Sequence, residues 1–300
     1  MRALFVLILL TALILPAGHA PASPLSDISA EEVQTLHTQA AQGNAQAQTD
    51  LGKLYHKGWG VPQDDATARQ WYEQAAAQGN AKAQFSLGAL YDNGHGVPQD
   101  YKKAAQWYEK AAAQDNADAQ FYLGSLYDNG HGVPQDYAKA RQWWEQAAAQ
   151  GDEWAQFNLG VLYAQGQGVP QDYAKARKWY EQAAAQGDAW AQYSLGVLYV
   201  GGLGVPRNYT KARQWFEKAA AQRDVRAQYS LGVLYEKGQG VPQDYARAYM
   251  WWSLAAERWD ASDTPAADAQ DKVARRMTPA QLAKAQRLAS RCQTLQFNGC

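Results

Sequence analysis

Apolar residues along this chain recur at helical spacing. In residues 116–151, NADAQFYLGSLYDNGHGVPQDYAKARQWWEQAAAQG, Ala119, Leu123, Leu126 and Tyr127 fall at i, i+4, i+7 and i+8. Ala140, Trp143, Trp144, Ala147 and Ala148 form a second stripe of the same pitch. A Gly/Pro loop separates the two stripes, so the segment predicts a pair of helices. The pair then repeats: Leu51-Gly52, Leu87-Gly88, Leu123-Gly124, Leu159-Gly160, Leu195-Gly196 and Leu231-Gly232 stand 36 residues apart, six copies without an insertion.

Each predicted helix has a chemical start and stop. Asn44, Asn80, Asn116, Asp152, Asp188 and Asp224 are placed to N-cap the first helix of a pair, and Asp100, Asp136, Asp172 and Asp244 the second. Gly43, Gly79, Gly151 and Gly187 end the second helix where a left-handed residue is easiest, and Gly-x-Gly-Val-Pro ends the first. Asp115 and Arg223 replace that glycine in two copies and carry an expected local strain of about 1 kcal/mol each.

One helix pair of this kind cannot bury its own apolar stripe, so neighbours must stack and the ends must be capped. Ser29-x-x-Glu32 predicts a capping box opening a half-repeat helix that runs to Gln42. Thr264-Pro265 and Thr278-Pro279 predict the starts of a divergent final pair. The expected organisation is a signal peptide over 1–22, a capping helix within 23–43, six repeats over 44–259 and a C-terminal capping pair within 260–300.

The run A-x-A-Q-x-x-L-G-x-L-Y, then G-x-G-V-P-Q-D-Y, then K-A-x-x-W-Y-E-x-A-A resembles the Sel1-like repeat family, relatives of the tetratricopeptide repeats, from about Gly43 to Trp259. Gln120 and its equivalents stand where the tetratricopeptide pattern has tryptophan. The resemblance implies an all-α fold, a right-handed α-solenoid superhelix that scaffolds protein complexes, often in bacterial envelopes or at host surfaces.

The leader reading rests on Met1-Arg2, the apolar run Ala3 to Leu15, and the small residues from Pro16 to Ala20; Ala20-Pro21-Ala22 favours cleavage after Ala22. With no cysteine nearby to carry a lipid and no later apolar stretch of spanning length, a periplasmic or secreted protein is expected, without membrane insertion once the leader is removed. In an oxidising compartment Cys292 and Cys300 are expected to pair as a disulfide. Twenty-eight basic against 29 acidic residues, with no basic stripe, argue against a nucleic-acid partner.

Catalysis is not expected. Cysteine-rich relatives have been associated with penicillin binding and β-lactam hydrolysis, which makes a cell-wall-related enzyme the alternative reading. This chain has no cysteine in any repeat and lacks S-x-x-K, S-D-N and K-T-G, as well as H-E-x-x-H and G-x-S-x-G. No cofactor is expected either. His95 and His131 occupy one place in adjacent copies of Asp-Asn-Gly-His-Gly, with Asp92 and Asp128 nearby; turn chemistry accounts for that pattern better than a metal does. The tryptophans Trp71, Trp107, Trp143, Trp179, Trp215 and Trp251 read as core, beside Tyr72, Tyr108, Trp144, Tyr180, Phe216 and Trp252.

The resemblance places the first helix of each pair on the concave side. Its outward columns hold Trp154, Phe157 and Val161 in the fourth copy, Trp190, Tyr193 and Val197 in the fifth, and Arg226, Tyr229 and Val233 in the sixth. Earlier copies are more polar there, with Gln46, Thr49 and Lys53, or Lys82, Phe85 and Ala89. The expected function is therefore to bind a peptide or protein partner, with Trp154 and Trp190 as exposed anchors. Whether the Phe/Tyr column faces the partner or packs between neighbouring first helices is left open by the sequence.

Overall fold

The computed structural model describes residues 27–258 and 265–295, and among these it contains fifteen α-helices and no strand. The chain divides into two compact units, the first ending at Pro98 and the second beginning at Gln99. In each, a helix packs mainly on its neighbours in sequence, which is the arrangement of an α-solenoid of helix pairs.

The first unit holds α1 (Ala30–Ala41), α2 (Ala45–Lys57), α3 (Asp65–Ala77) and α4 (Ala81–Asn93). Ser29 caps α1, its side chain accepting from the Glu32 backbone while the Glu32 carboxylate accepts from the Ser29 N–H. Val33, Ala40, Ala47, Leu51 and Leu54 form the core of this end.

In the second unit, α5 (Tyr101–Ala112) is followed by the pairs α6 (Ala117–Asn129) and α7 (Tyr137–Ala149), α8 (Glu153–Gln165) and α9 (Tyr173–Ala185), α10 (Ala189–Gly201) and α11 (Tyr209–Ala221), and α12 (Val225–Lys237) and α13 (Tyr245–Ala256). Two divergent helices, α14 (Pro265–Ala274) and α15 (Pro279–Thr294), pack on α13. Thr278 and Gln281 form a capping box at the start of α15, whereas Thr264 and the leader lie outside the described residues.

The capping asparagines and aspartates all accept from backbone N–H groups, and the loop glycines adopt positive φ. Asp115 (φ 60°) and Arg223 (φ 66°) hold the left-handed conformation that glycine takes in the other copies.

Two columns lock neighbouring helices within the second unit. The glycine of Leu-Gly lies under a ring of the partner helix: a Cβ on Gly160 would come 2.4 Å from Tyr180, and one on Gly196 would come 2.3 Å from Phe216. Buried glutamines join one repeat to the next. Gln156 donates to the Ala148 carbonyl while its own oxygen accepts from Gln186 at 3.0 Å, and Gln120 and Gln192 do the same. The ladder ends at Gln228, which is fully buried with neither amide atom bonded; Arg258 stands where earlier copies carry the donating glutamine.

The tryptophan column corrects the expectation of a buried core. Tyr72, Tyr108, Trp144, Tyr180, Phe216 and Trp252 are buried, but of the neighbouring tryptophans only Trp251 is. Trp71, Trp107, Trp143, Trp179 and Trp215 are half-buried. One step along a helix turns a side chain by about 100°, which carries the first of two adjacent rings to the rim. There Lys110 lies over Trp107 (3.9 Å) and Lys218 over Trp215 (4.3 Å).

Candidate functional site

Trp154, Trp190 and Arg226 share one register, each two residues after the capping aspartate of α8, α10 or α12. Trp190 is 36% exposed; among the described residues it and Leu295 are the two exposed large hydrophobic side chains. Trp154 is half-buried.

The Arg226 guanidinium lies 4.0 Å from the Trp190 ring centroid and 4.6 Å from that of Tyr193. Its Nη2 also pairs with Asp224 Oδ2 at 2.5 Å. A cation held on one side by a carboxylate and on the other by two ring faces fixes both rings in place. Phe157 meets Trp190 edge-on, with centroids 6.1 Å apart and planes at 70°.

The Phe/Tyr column is half-buried, and each ring reaches the buried ring of its own pair. Phe157 lies 5.7 Å from Tyr180, Tyr193 5.6 Å from Phe216, and Tyr229 6.3 Å from Trp252. Val161, Val197 and Val233 pack against the core from the same side. The column therefore contributes to packing, and its Phe157 also touches the exposed Trp190.

Carboxylates flank this surface. Burial raises the carboxyls of Asp118 and Asp152, the latter also through repulsion from Asp118 and Glu153. Burial pushes Asp188 to about 6; its bond from the Ala191 N–H and the Arg226 charge oppose that shift, and Glu153 and Asp224 add to it. Acidic charge thus runs along the N-terminal ends of the first helices, answered at one end by Arg226.

His95 and His131 have separate neighbours. His131 stacks on Tyr101, with centroids 4.7 Å apart, while His95 sits 5.7 Å from the His56 ring, whose Nδ1 is 2.6 Å from Asp65 Oδ1. His56 and Asp65 were not singled out by sequence; the signal was their departure from the repeat, since tyrosine occupies the place of Asp65 in the other five copies. Cys292 is buried in α15, and its expected partner Cys300 lies outside the described residues. No described helix is long and apolar enough to cross a membrane.

The family model described as "Sel1 repeat" matches six segments, 45–80, 81–116, 117–152, 155–188, 191–224 and 225–258. Among solved structures, the chain is similar to c5321, a protective antigen of uropathogenic Escherichia coli with an SLR fold (36% identity, TM-score 0.78), over 86% of this chain and 56% of that one. The chain therefore spans little more than half the length of that relative. It is also similar to a Sel1 repeat protein from Oxalobacter formigenes (35% identity, TM-score 0.71), over 76% of this chain and 94% of that one. No curated protein matches. Sel1 repeat proteins are generally non-enzymatic scaffolds for protein interactions.

Proposed function

Since this chain belongs to the Sel1 repeat family, we propose that it is an exported scaffold that holds a peptide or protein segment across α8, α10 and α12, anchored on Trp154 and Trp190. The observation that carries this reading is Trp190, an exposed tryptophan held from below by the Arg226 guanidinium and from the side by Phe157. A large ring that is already fixed loses little side-chain freedom on binding, which is why such rings dominate interface energies.

The surroundings supply the partner's chemistry. An apolar side chain of the partner would lie against Trp190, Phe157 and Val161, and basic or amide groups beside it would answer Glu153, Asp188 and Asp224. Trp154 supplies a second ring one repeat earlier. Export rests on the leader sequence and gains support from the likeness to a protein described as a protective antigen. The Cys292–Cys300 disulfide belongs to the same reading, because such a bond persists in an oxidising compartment.

Affinity capture from an envelope extract, with the Trp154→Ala, Trp190→Ala double variant beside the native protein, tests the proposal. A partner retained by the native protein is expected to be lost by at least about tenfold from a variant of unchanged helical content, since aromatic anchors contribute about 2 kcal/mol or more each. Equal recovery by both proteins, or recovery by neither, sinks it. Turnover of a chromogenic β-lactam by the purified protein, which is not expected, would instead support the enzyme reading.

A further inference from the structure

From α4 onwards, the loop ending a first helix lays its second glycine on the opening residue of the second helix in the preceding pair. A Cβ on Gly96 would meet the Asp65 backbone at 2.7 Å, and Gly132, Gly168, Gly204 and Gly240 approach Tyr101, Tyr137, Tyr173 and Tyr209 in the same way. The residue before that glycine is thereby brought to the junction between the two helices of the earlier pair.

In the first unit this contact assembles three ligand-type side chains. His56 lies at the end of α2, Asp65 opens α3, and His95 precedes Gly96 in the loop after α4. One donor atom from each lies within 4.8 Å of the others. His56 and Asp65 are each 23% exposed at the side chain, and His95 is exposed, so the cluster is walled on one side and open to water on the other.

The combination is a joint departure from the repeat. Where His56 stands, the later copies carry Asp92, Asp128, Ala164, Val200 and Glu236; where Asp65 stands, all five carry tyrosine. His131, Gln167, Leu203 and Gln239 take the place of His95 in the copies that follow. Histidine, carboxylate and histidine coincide at this one junction.

We propose that His56, Asp65 and His95 bind a divalent transition ion of the zinc class. Two imidazole nitrogens and one carboxylate oxygen suit a borderline ion, whereas calcium and magnesium favour all-oxygen sets. Tetrahedral bonds of about 2.0–2.2 Å place ligand atoms about 3.3–3.5 Å apart, so the His56–Asp65 pair opens slightly, with His95 already within 4.8 Å of both. Water completes the coordination on the open side. The ion ties the loop after α4 to the α2–α3 junction; in the next copy the corresponding residues, Tyr101 and His131, stack instead.

The test is a titration of the untagged protein with zinc chloride, repeated with cobalt chloride to read the visible absorption of a four-coordinate ion. The wild type is expected to bind one equivalent. Asp65→Tyr, which restores the residue of the other five copies, and His95→Ala, on an exposed loop, are each expected to weaken binding by about tenfold or more with unchanged circular dichroism. His131→Ala, altering the matching loop of the next copy, is expected to bind as the wild type does. Absence of binding by the wild type, wild-type affinity in either of the first two variants, or loss in His131→Ala would overturn the assignment.

Discussion

Asp188 is a buried carboxylate at a helix start, 7% exposed, and it caps α10 at a cost. Its folded value near 6 lies above the ordinary 3.8, so the folded chain holds the proton more tightly than the unfolded chain does. Stability linked to this group is therefore lowest above about pH 6, where both states are ionised, and recovers as pH falls towards 4. Asn44, Asn80 and Asn116 fill the same capping position without a charge. Asp188→Asn is expected to stabilise the protein by about 1–3 kcal/mol at pH 7.5, with the gain gone by pH 4. Urea denaturation of both proteins at the two pH values measures it, and an equal or lower midpoint for the variant at pH 7.5 would show that Arg226 already offsets the burial. A carboxylate kept at such a cost beside Trp190 is consistent with the proposed binding role of this surface.

Much at this scale was legible in advance. The caps are short-range chemistry, and so is the strain at Asp115 and Arg223, because a repeat shows which residue the other copies place there. The Arg226 clamp was not legible: it joins residues on different repeats, and a column read along one helix face gives no hint that its guanidinium turns back onto Trp190 and Tyr193. Sequence also favoured exposure for both tryptophans, and the structure separates them, with Trp190 exposed and Trp154 half-buried.

At the scale of the element, the Leu-Gly pair set the register of the repeat while its cause lay some twenty residues away. Gly160 admits the Tyr180 ring of α9 to the surface of α8, and a methyl group there would overlap Cε1 at 2.4 Å. Alanine is the better helix former by about 1 kcal/mol, so propensity and packing pull in opposite directions. Packing is expected to win: Gly160→Ala should lose about 1–3 kcal/mol, because Tyr180 is buried and has no space to retreat. A denaturant midpoint at or above that of the wild type would mean that the α8–α9 pair adjusts freely. The same one-residue geometry explains the tryptophan column, since binary patterning treats Trp215 and Phe216 alike while the helix sends one ring to the rim and the other to the core.

At the scale of the whole molecule, the α-solenoid fold follows from a 36-residue period that is nearly free of exceptions, and it was the most legible feature of the chain. The proposed binding surface was legible as a bias, aromatic in the later copies and polar in the earlier ones, because a repeat that keeps its core constant can differ between copies only on what remains. Two faces of the second unit carry half-exposed aromatic rings: one on the first helices around Trp190, the other on the second helices, where a shallow cavity beside Trp215 is lined by Tyr199, Lys211 and Lys218. Cations lie over rings on both faces, but Trp190 remains 36% exposed whereas Trp215 is half-buried.

The most direct measurement is site-specific photo-crosslinking in intact cells, with a photoreactive residue at position 190 in one protein and at the exposed position of Gln214 on α11 in another. The account predicts a discrete protein adduct from position 190 and none from position 214. An adduct from position 214 alone, from both equally, or from neither would contradict it.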